Sequence, residues 1–263
     1  MQFQVKNGYF SYGNHEVLHG IDFTFDCQGV MSILGRNGAG KTTLLKCMLG
    51  LQHWTQGQTL INGFDITKIA SKKFWSEIGY VPQAKMPSFS YSVQELVVLG
   101  RNVHIGNFAQ PGRKDWEIVE ESLELVGIAH LKNKLCNQIS GGEYQLALVA
   151  RALVSQPKLL ILDEPESNLD FKNQLRILKV ITKLTQEKKI GAIINTHFPA
   201  HALEISSKAL LMLPGNRSLF GPTQEILTEK NLTKSFGIDV RILPTHLSER
   251  PNYCCVVALD SEK

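Results

Sequence analysis

Two places in this 263-residue chain could hold an anion on backbone amides. The first is Gly35-Arg36-Asn37-Gly38-Ala39-Gly40-Lys41-Thr42, followed by Thr43. Its glycines let successive N–H groups curl around a phosphate, Lys41 supplies a point charge, and the Thr42 hydroxyl reaches Mg²⁺. An apolar run precedes this loop and a helical pattern follows it, which is the context the spacing demands. The second is Ser140-Gly141-Gly142-Glu143, ahead of an apolar run suited to a buried helix. Serine is a good N-cap, and glycine amides at a helix start favour an anion. Spacing alone leaves open what a second site would hold.

Leu159-Leu160-Ile161-Leu162 reads as a buried strand that delivers Asp163 and Glu164 to its carboxyl end, where ligands collect in open α/β sheets. Asp163 is placed to hold Mg²⁺ through water, and Glu164 to act as a general base or to orient an attacking water. His197 follows the strand Ile190–Ile194 and reaches the same sheet edge, a position that suits phosphate sensing although a lone histidine is usually structural. Gln83 closes Ile78-Gly79-Tyr80-Val81-Pro82 and can offer its amide to metal or water, and Tyr12 can stack on a base. For these last two, spacing does not choose between binding and structure. His15-Glu16-Val17-Leu18-His19 matches the zinc-protease pattern literally, but it lies between Gly13-Asn14 and Gly20. That chemistry needs both imidazoles on one helix face and a third ligand, so a surface strand is expected instead.

These residues need a scaffold, and the pattern supplies one. Ile21, Phe23 and Phe25 alternate as in a half-buried strand, and Val30–Leu34, Gln58–Ile61 and Ile78–Val81 read as further strands. From Tyr91 to about Ala129 the period is helical, interrupted by the breaker-rich loop Gly106–Gly112. Beyond it, strands at Leu159–Leu162, Ile190–Asn195 and Ala209–Leu213 alternate with helices at Phe171–Gln186 and Pro199–Ile205. Such alternation predicts an α/β fold with a mostly parallel sheet. The tail beyond Thr223 carries no motif. Hydrophobic residues at 43% and charged residues at 20% describe an ordinary globule, and the net charge of +4 comes from scattered Lys and Arg, which argues against a nucleic-acid partner. No run approaches the roughly 20 apolar residues of a membrane span, and the N-terminus lacks the charged-then-apolar order of a signal peptide. Cysteines 27, 47, 136, 254 and 255 form no Cys-x-x-Cys pair and read as reduced thiols of a cytosolic protein.

In order, Tyr12, Gly35–Thr42, Gln83, Ser140-Gly141-Gly142-Glu143, Leu159–Glu164, Asn168-Leu169-Asp170 and His197 resemble the nucleotide-binding subunit of ABC transporters. The resemblance covers residues 1 to about 222, with an N-terminal antiparallel β subdomain, a helical subdomain over about 84–156, and 223–263 as an appendage. It implies ATP with Mg²⁺ as cofactors. It also implies a head-to-tail homodimer in which Ser140 and the Gly142 amide of one copy close over ATP on Lys41 of the other. Tyr12 would stack on adenine, Thr42 and Asp163 serve Mg²⁺, Glu164 polarise water, His197 contact the γ-phosphate, Asp170 lie at the dimer interface, and Gln83 link the Mg²⁺ site to the membrane partner.

The Tyr91–Arg101 and Thr196–Leu203 stretches resemble importers of the metal-chelate group, which take up siderophore iron, haem or cobalamin, with some members taking molybdate or tungstate. Two permease chains, a substrate-binding protein, a coupling groove over Gln83–Arg113 and a place on the cytoplasmic face of the bacterial inner membrane follow from that group. An exporter subunit and a non-transport ATPase are the competing readings. Three departures stand out: Ile139 with Glu143 for the usual Leu and Gln, Leu146 for Arg, and Glu166 for Thr.

Overall fold

The computed structural model describes residues 1–84, 90–105, 109–245 and 254–259. The chain divides into two compact units, Met1–Lys68 with Ile193–Lys263, and Ile69–Ala192.

The first unit opens with β1 (Phe3–Tyr12), β2 (His15–Phe25), β3 (Val30–Leu34), α1 (Lys41–Met48), β4 (Gln56–Ile61) and β5 (Phe64–Asp65). One antiparallel sheet runs in the order β2-β1-β4-β5. Phe3, Val5, Ile21, Phe23 and Phe25 are buried at the two-residue period that gives a sheet one apolar face. Asn7-Gly8, a pair ordinarily found in turns, lies inside β1 instead. Asn7 is left-handed at φ 48° and the register shifts between Val5 and Gly8, so the pair forms a bulge. Gly8 is required by packing, because a Cβ there would stand 2.7 Å from the Trp54 ring.

The second unit holds α2 (Ser71–Glu77), β6 (Ile78–Val81), α3 (Val93–Val98), α4 (Arg113–Leu125), α5 (Gly141–Leu153), β7 (Leu159–Asp163) and α6 (Phe171–Glu187), then the start of β8 (Gly191–Asn195). β6 and β7 pair in parallel with Ile78 opposite Leu159. Every residue of β7 is buried, which is why Leu159–Leu162 is continuously apolar rather than alternating before the strand ends at Asp163. Arg101, in the turn 99–103 after α3, is only 7% exposed. Its Nε meets Asp115 Oδ1 at 2.8 Å and its Nη1 donates to the Val154 carbonyl at 2.7 Å, so the buried charge is matched while three helices are joined. The expected helical subdomain falls inside this unit. Gly106–Phe108 of the expected loop and residues 85–89 of the expected coupling groove lie outside the described residues.

Back in the first unit come α7 (Pro199–Ile205), β9 (Lys208–Leu213), β10 (Arg217–Pro222), α8 (Thr223–Ile226), α9 (Glu229–Phe236), β11 (Asp239–Pro244) and β12 (Cys254–Leu259). β9 runs parallel to β3, with Ile33 opposite Leu210, and antiparallel to β10. The α/β class, with parallel pairing and an N-terminal antiparallel sheet, is as expected. Of the residues after Thr223, Leu227, Leu232 and Val240 share one core with Leu34, Leu203 and Leu211, and Cys254 and Val256 of β12, which pairs antiparallel with β11, cover it. His15-Glu16-Val17-Leu18-His19 opens β2, and the His19 imidazole pairs with Glu16 at 3.1 Å. A strand cannot set both imidazoles on one helix face.

Candidate functional site

In the first unit the phosphate loop joins β3 to α1. Gly40 takes the N-cap position of α1 in a left-handed conformation, φ 92°, and no side chain caps the helix. A Cβ at Gly40 would stand 2.8 Å from Val17 Cγ1, so both backbone and packing demand glycine. Gly40 itself therefore offers the helix start no side-chain acceptor. Lys41 is 5% exposed, and its ammonium donates to the Gly35 carbonyl at 2.9 Å and the Arg36 carbonyl at 3.3 Å. Those bonds fold its cation back over the loop.

Tyr12 ends β1 with 49% of its surface exposed, and the Phe10 ring meets it edge-on at 4.8 Å. One face of an aromatic is thus held ready for a flat ligand. Thr196 follows β8, and its amide donates to Ile33 in β3 at 3.0 Å while its hydroxyl accepts from the Phe198 amide at 3.0 Å. These two bonds fix the turn that carries His197, whose ring lies 4.1 Å from that of Phe198. Spacing alone gave no sign of the Thr196 anchor.

In the second unit Asp163 is the buried last residue of β7, 5% exposed. Glu164 follows in a left-handed conformation at φ 47°, strained for a residue with a Cβ. Its Oε2 accepts from Gln83 Nε2 at 3.3 Å and from Ser167 Oγ at 2.9 Å. Gln83 and Glu164, read separately from sequence, are thus brought together, and Ser167 is a third member that sequence reasoning missed. The Asp163 carboxylate near Tyr80, added to burial as the main cause, pushes the Tyr80 phenol up to about 12.

The Ser-Gly-Gly segment begins α5. Ser140 caps it in a full capping box: the Ser140 hydroxyl accepts from the Glu143 amide at 3.3 Å and donates to Glu143 Oε2 at 2.9 Å, and the Ser140 amide donates to the same oxygen at 2.8 Å. The Ser-x-x-Glu spacing carries that signal, so Glu143 is a cap as well as a departure from the usual Gln. Gly142 has no room for a side chain, since a Cβ there would approach Asn173 Cγ to 2.4 Å. Asn173 is itself held by Asp170, whose Oδ1 caps α6 from the Asn173 amide at 2.8 Å and whose Oδ2 accepts from Asn173 Nδ2 at 3.2 Å. Asp170 and Gly142 are therefore joined through a residue that sequence reasoning did not single out. Leu146 is fully buried, which accounts for an apolar residue at that position. Among the described residues no helix is long and apolar enough to cross a membrane.

A family model described as ABC transporter matches residues 18–167. The molybdate import ATP-binding protein MolC of Haemophilus influenzae is 34% identical over 89% of this chain and 87% of its own length. A protein of Helicobacter pylori described as a probable iron chelatin transport ATP-binding protein is 32% identical over 89% of this chain and 92% of its own. Among solved structures, an inward-facing ABC transporter provisionally assigned to the metal-chelate type superposes with a TM-score of 0.88, at 32% identity and 98% coverage of both chains.

Proposed function

This chain belongs to the ABC transporter family and is an ATP-binding, ATP-hydrolysing subunit; from that premise we propose that it drives import of a metal chelate or a molybdate-type oxyanion. The import name of its Haemophilus influenzae relative supports the direction of transport. The observation that carries the catalytic reading is Glu164, held in a strained backbone at the end of β7 by Gln83 and Ser167.

Lys41 takes the β- and γ-phosphates together with the amides of Gly35–Thr43, Tyr12 stacks on adenine, His197 contacts the γ-phosphate, and Glu164 orients the attacking water. The Thr42 hydroxyl and the Asp163 carboxylate are hard oxygen donors that suit Mg²⁺, which neutralises charge on the phosphates when bound. The Gln83 amide nitrogen meets Glu164, and its carbonyl oxygen would be a further donor to that metal. Two copies pair head to tail, and Ser140 and Gly142 of one copy close on the nucleotide of the other, with Asp170 at their junction.

Two permease chains dock on the second unit. There a cleft of about 320 Å³ presents Trp75, Ile78, Tyr80, Leu99, Val103 and Arg151, an apolar surface with one cation. An extracytoplasmic binding protein delivers the cargo, and the subunit sits at the cytoplasmic face of the membrane through its permease. The decisive test is Glu164→Gln. Hydrolysis should fall by at least about 10²-fold, and the variant should form a dimer only with Mg-ATP, seen by light scattering on a sizing column. A variant that stays monomeric at saturating Mg-ATP would refute the shared site.

A further inference from the structure

We propose that Glu143 sets how readily this subunit closes on nucleotide, because its carboxylate holds the serine that the γ-phosphate must engage. The proposal rests on the reading above, in which Ser140 and Gly142 receive ATP bound to a second copy.

A serine hydroxyl has one proton to give. Here Ser140 gives it to Glu143 Oε2 at 2.9 Å, and the Ser140 amide points to the same oxygen at 2.8 Å. A phosphate can take the hydroxyl only if that carboxylate releases it. The carboxylate also places a negative charge in the first turn of α5, the position at which the helix dipole favours an incoming anion. The phosphate therefore meets both a rival acceptor and a like charge. The group is ionised at neutral pH: the Ser140 amide, above all, holds the carboxyl below its ordinary value against the opposing effect of desolvation, with help from the Ser140 hydroxyl, Lys134 and Arg176.

The molecule contains its own control. α3 starts with the same device, Ser92 and Glu95, whose amide and hydroxyl bonds to Glu95 Oε2 are both 2.7 Å. That helix begins Val93-Gln94, without the glycine amides that follow Ser140. Glu95 is a cap alone; Glu143 is a cap at an anion site. Glutamine fits the capping box as glutamate does, so Glu143→Gln removes the charge and keeps an acceptor for the Ser140 amide.

The test compares Glu143→Gln and Glu95→Gln, each added to Glu164→Gln, by titrating Mg-ATP and measuring the dimer fraction. E143Q should lower the half-maximal ATP concentration by about 3- to 10-fold, and E95Q should leave it unchanged. The E143Q shift should shrink by more than about half between roughly 0.05 M and 0.5 M salt, because screening weakens a charge effect and not a purely structural one. An unchanged or raised midpoint for E143Q, an equal shift for E95Q, or a salt-independent shift overturns the proposal. Failure of the parent Glu164→Gln protein to dimerise is a separate result, obtained with Glu143 intact, and it removes the shared-site reading together with this one.

Discussion

The starts of α1 and α5 are built from similar sequence and do opposite things with it. Both carry glycine at the start, Gly40 as the N-cap of α1 and Gly141-Gly142 as the first residues of α5, and both point backbone amides out of a helix N-terminus. At α1 the N-cap is a glycine with no side chain to offer, and the adjacent lysine is bonded to loop carbonyls. At α5 the N-cap is a serine locked to a glutamate three residues on. At α1 no side chain caps the helix, whereas at α5 a carboxylate of the chain itself takes the amide and the hydroxyl of the capping serine. Under the function proposed above, this difference would separate a site that holds a nucleotide by itself from one that engages a nucleotide only when the carboxylate lets the serine go.

Substitutions that break the comparison range from large to small effects. Lys41→Ala removes the only charge on the α1 loop apart from Arg36, and should lower ATP hydrolysis by at least about 10³-fold in a phosphate-release assay with little change in fold. A reduction of less than about tenfold would mean that the amides alone hold the phosphates. Next is Gly142→Ala against Gly141→Ala. A Cβ at Gly142 approaches Asn173 Cγ to 2.4 Å, whereas at Gly141 the nearest atom is 3.7 Å away. The first should destabilise the chain by about 1–3 kcal/mol in urea unfolding, and the second by well under that. Equal costs would show that Asn173 moves aside freely and that the Asp170–Asn173–Gly142 connection is slack.

The smallest effect concerns pH. The folded carboxyl of Glu143 lies below its ordinary value of 4.5. Its contribution to stability is therefore complete above about 4.5 and disappears as pH falls through the lower folded value. Urea midpoints of the parent and of E143Q should keep a constant separation from pH 7 down to about 5 and change relative to each other only below that. A divergence already present between pH 7 and 5 would assign the effect to another group.

The parts of the site that sequence disclosed are those whose chemistry is contiguous. Gly35–Thr42 and Leu159–Glu164 each carry strand, turn and ligand in one stretch, so local pattern suffices to place them. The strands that sequence passed over depend on distant partners. β1 contains Asn7-Gly8, which by itself suggests a turn, and only the register against β2 and the Trp54 ring turns it into a bulge. β11 and β12 are short and their pairing leaves few alternating positions, yet Val240 and Cys254 face a core that includes Leu34, the residue just before the phosphate loop. The adjacent thiols Cys254 and Cys255 then differ in exposure, half-buried and exposed, as neighbours on a strand must.

The sequence alone determined the family and the ATPase class of this protein, because a glycine loop ending in Lys41-Thr42, an acidic strand end and a Ser-Gly-Gly helix start are fixed by residue type and spacing over a few positions. It could not determine what those groups touch. That Gln83 and Ser167 share the Glu164 carboxylate, that Asn173 stands between Asp170 and Gly142, and that Thr196 ties the His197 turn to β3 are results of packing between segments as much as 163 residues apart, Ile33 to Thr196. Local propensity is indifferent to such contacts. The Thr196 bond exists because a buried polar group must find a partner, and the exposed contacts of Gln83 and Asp170 because the apolar strands and helices bring those segments together.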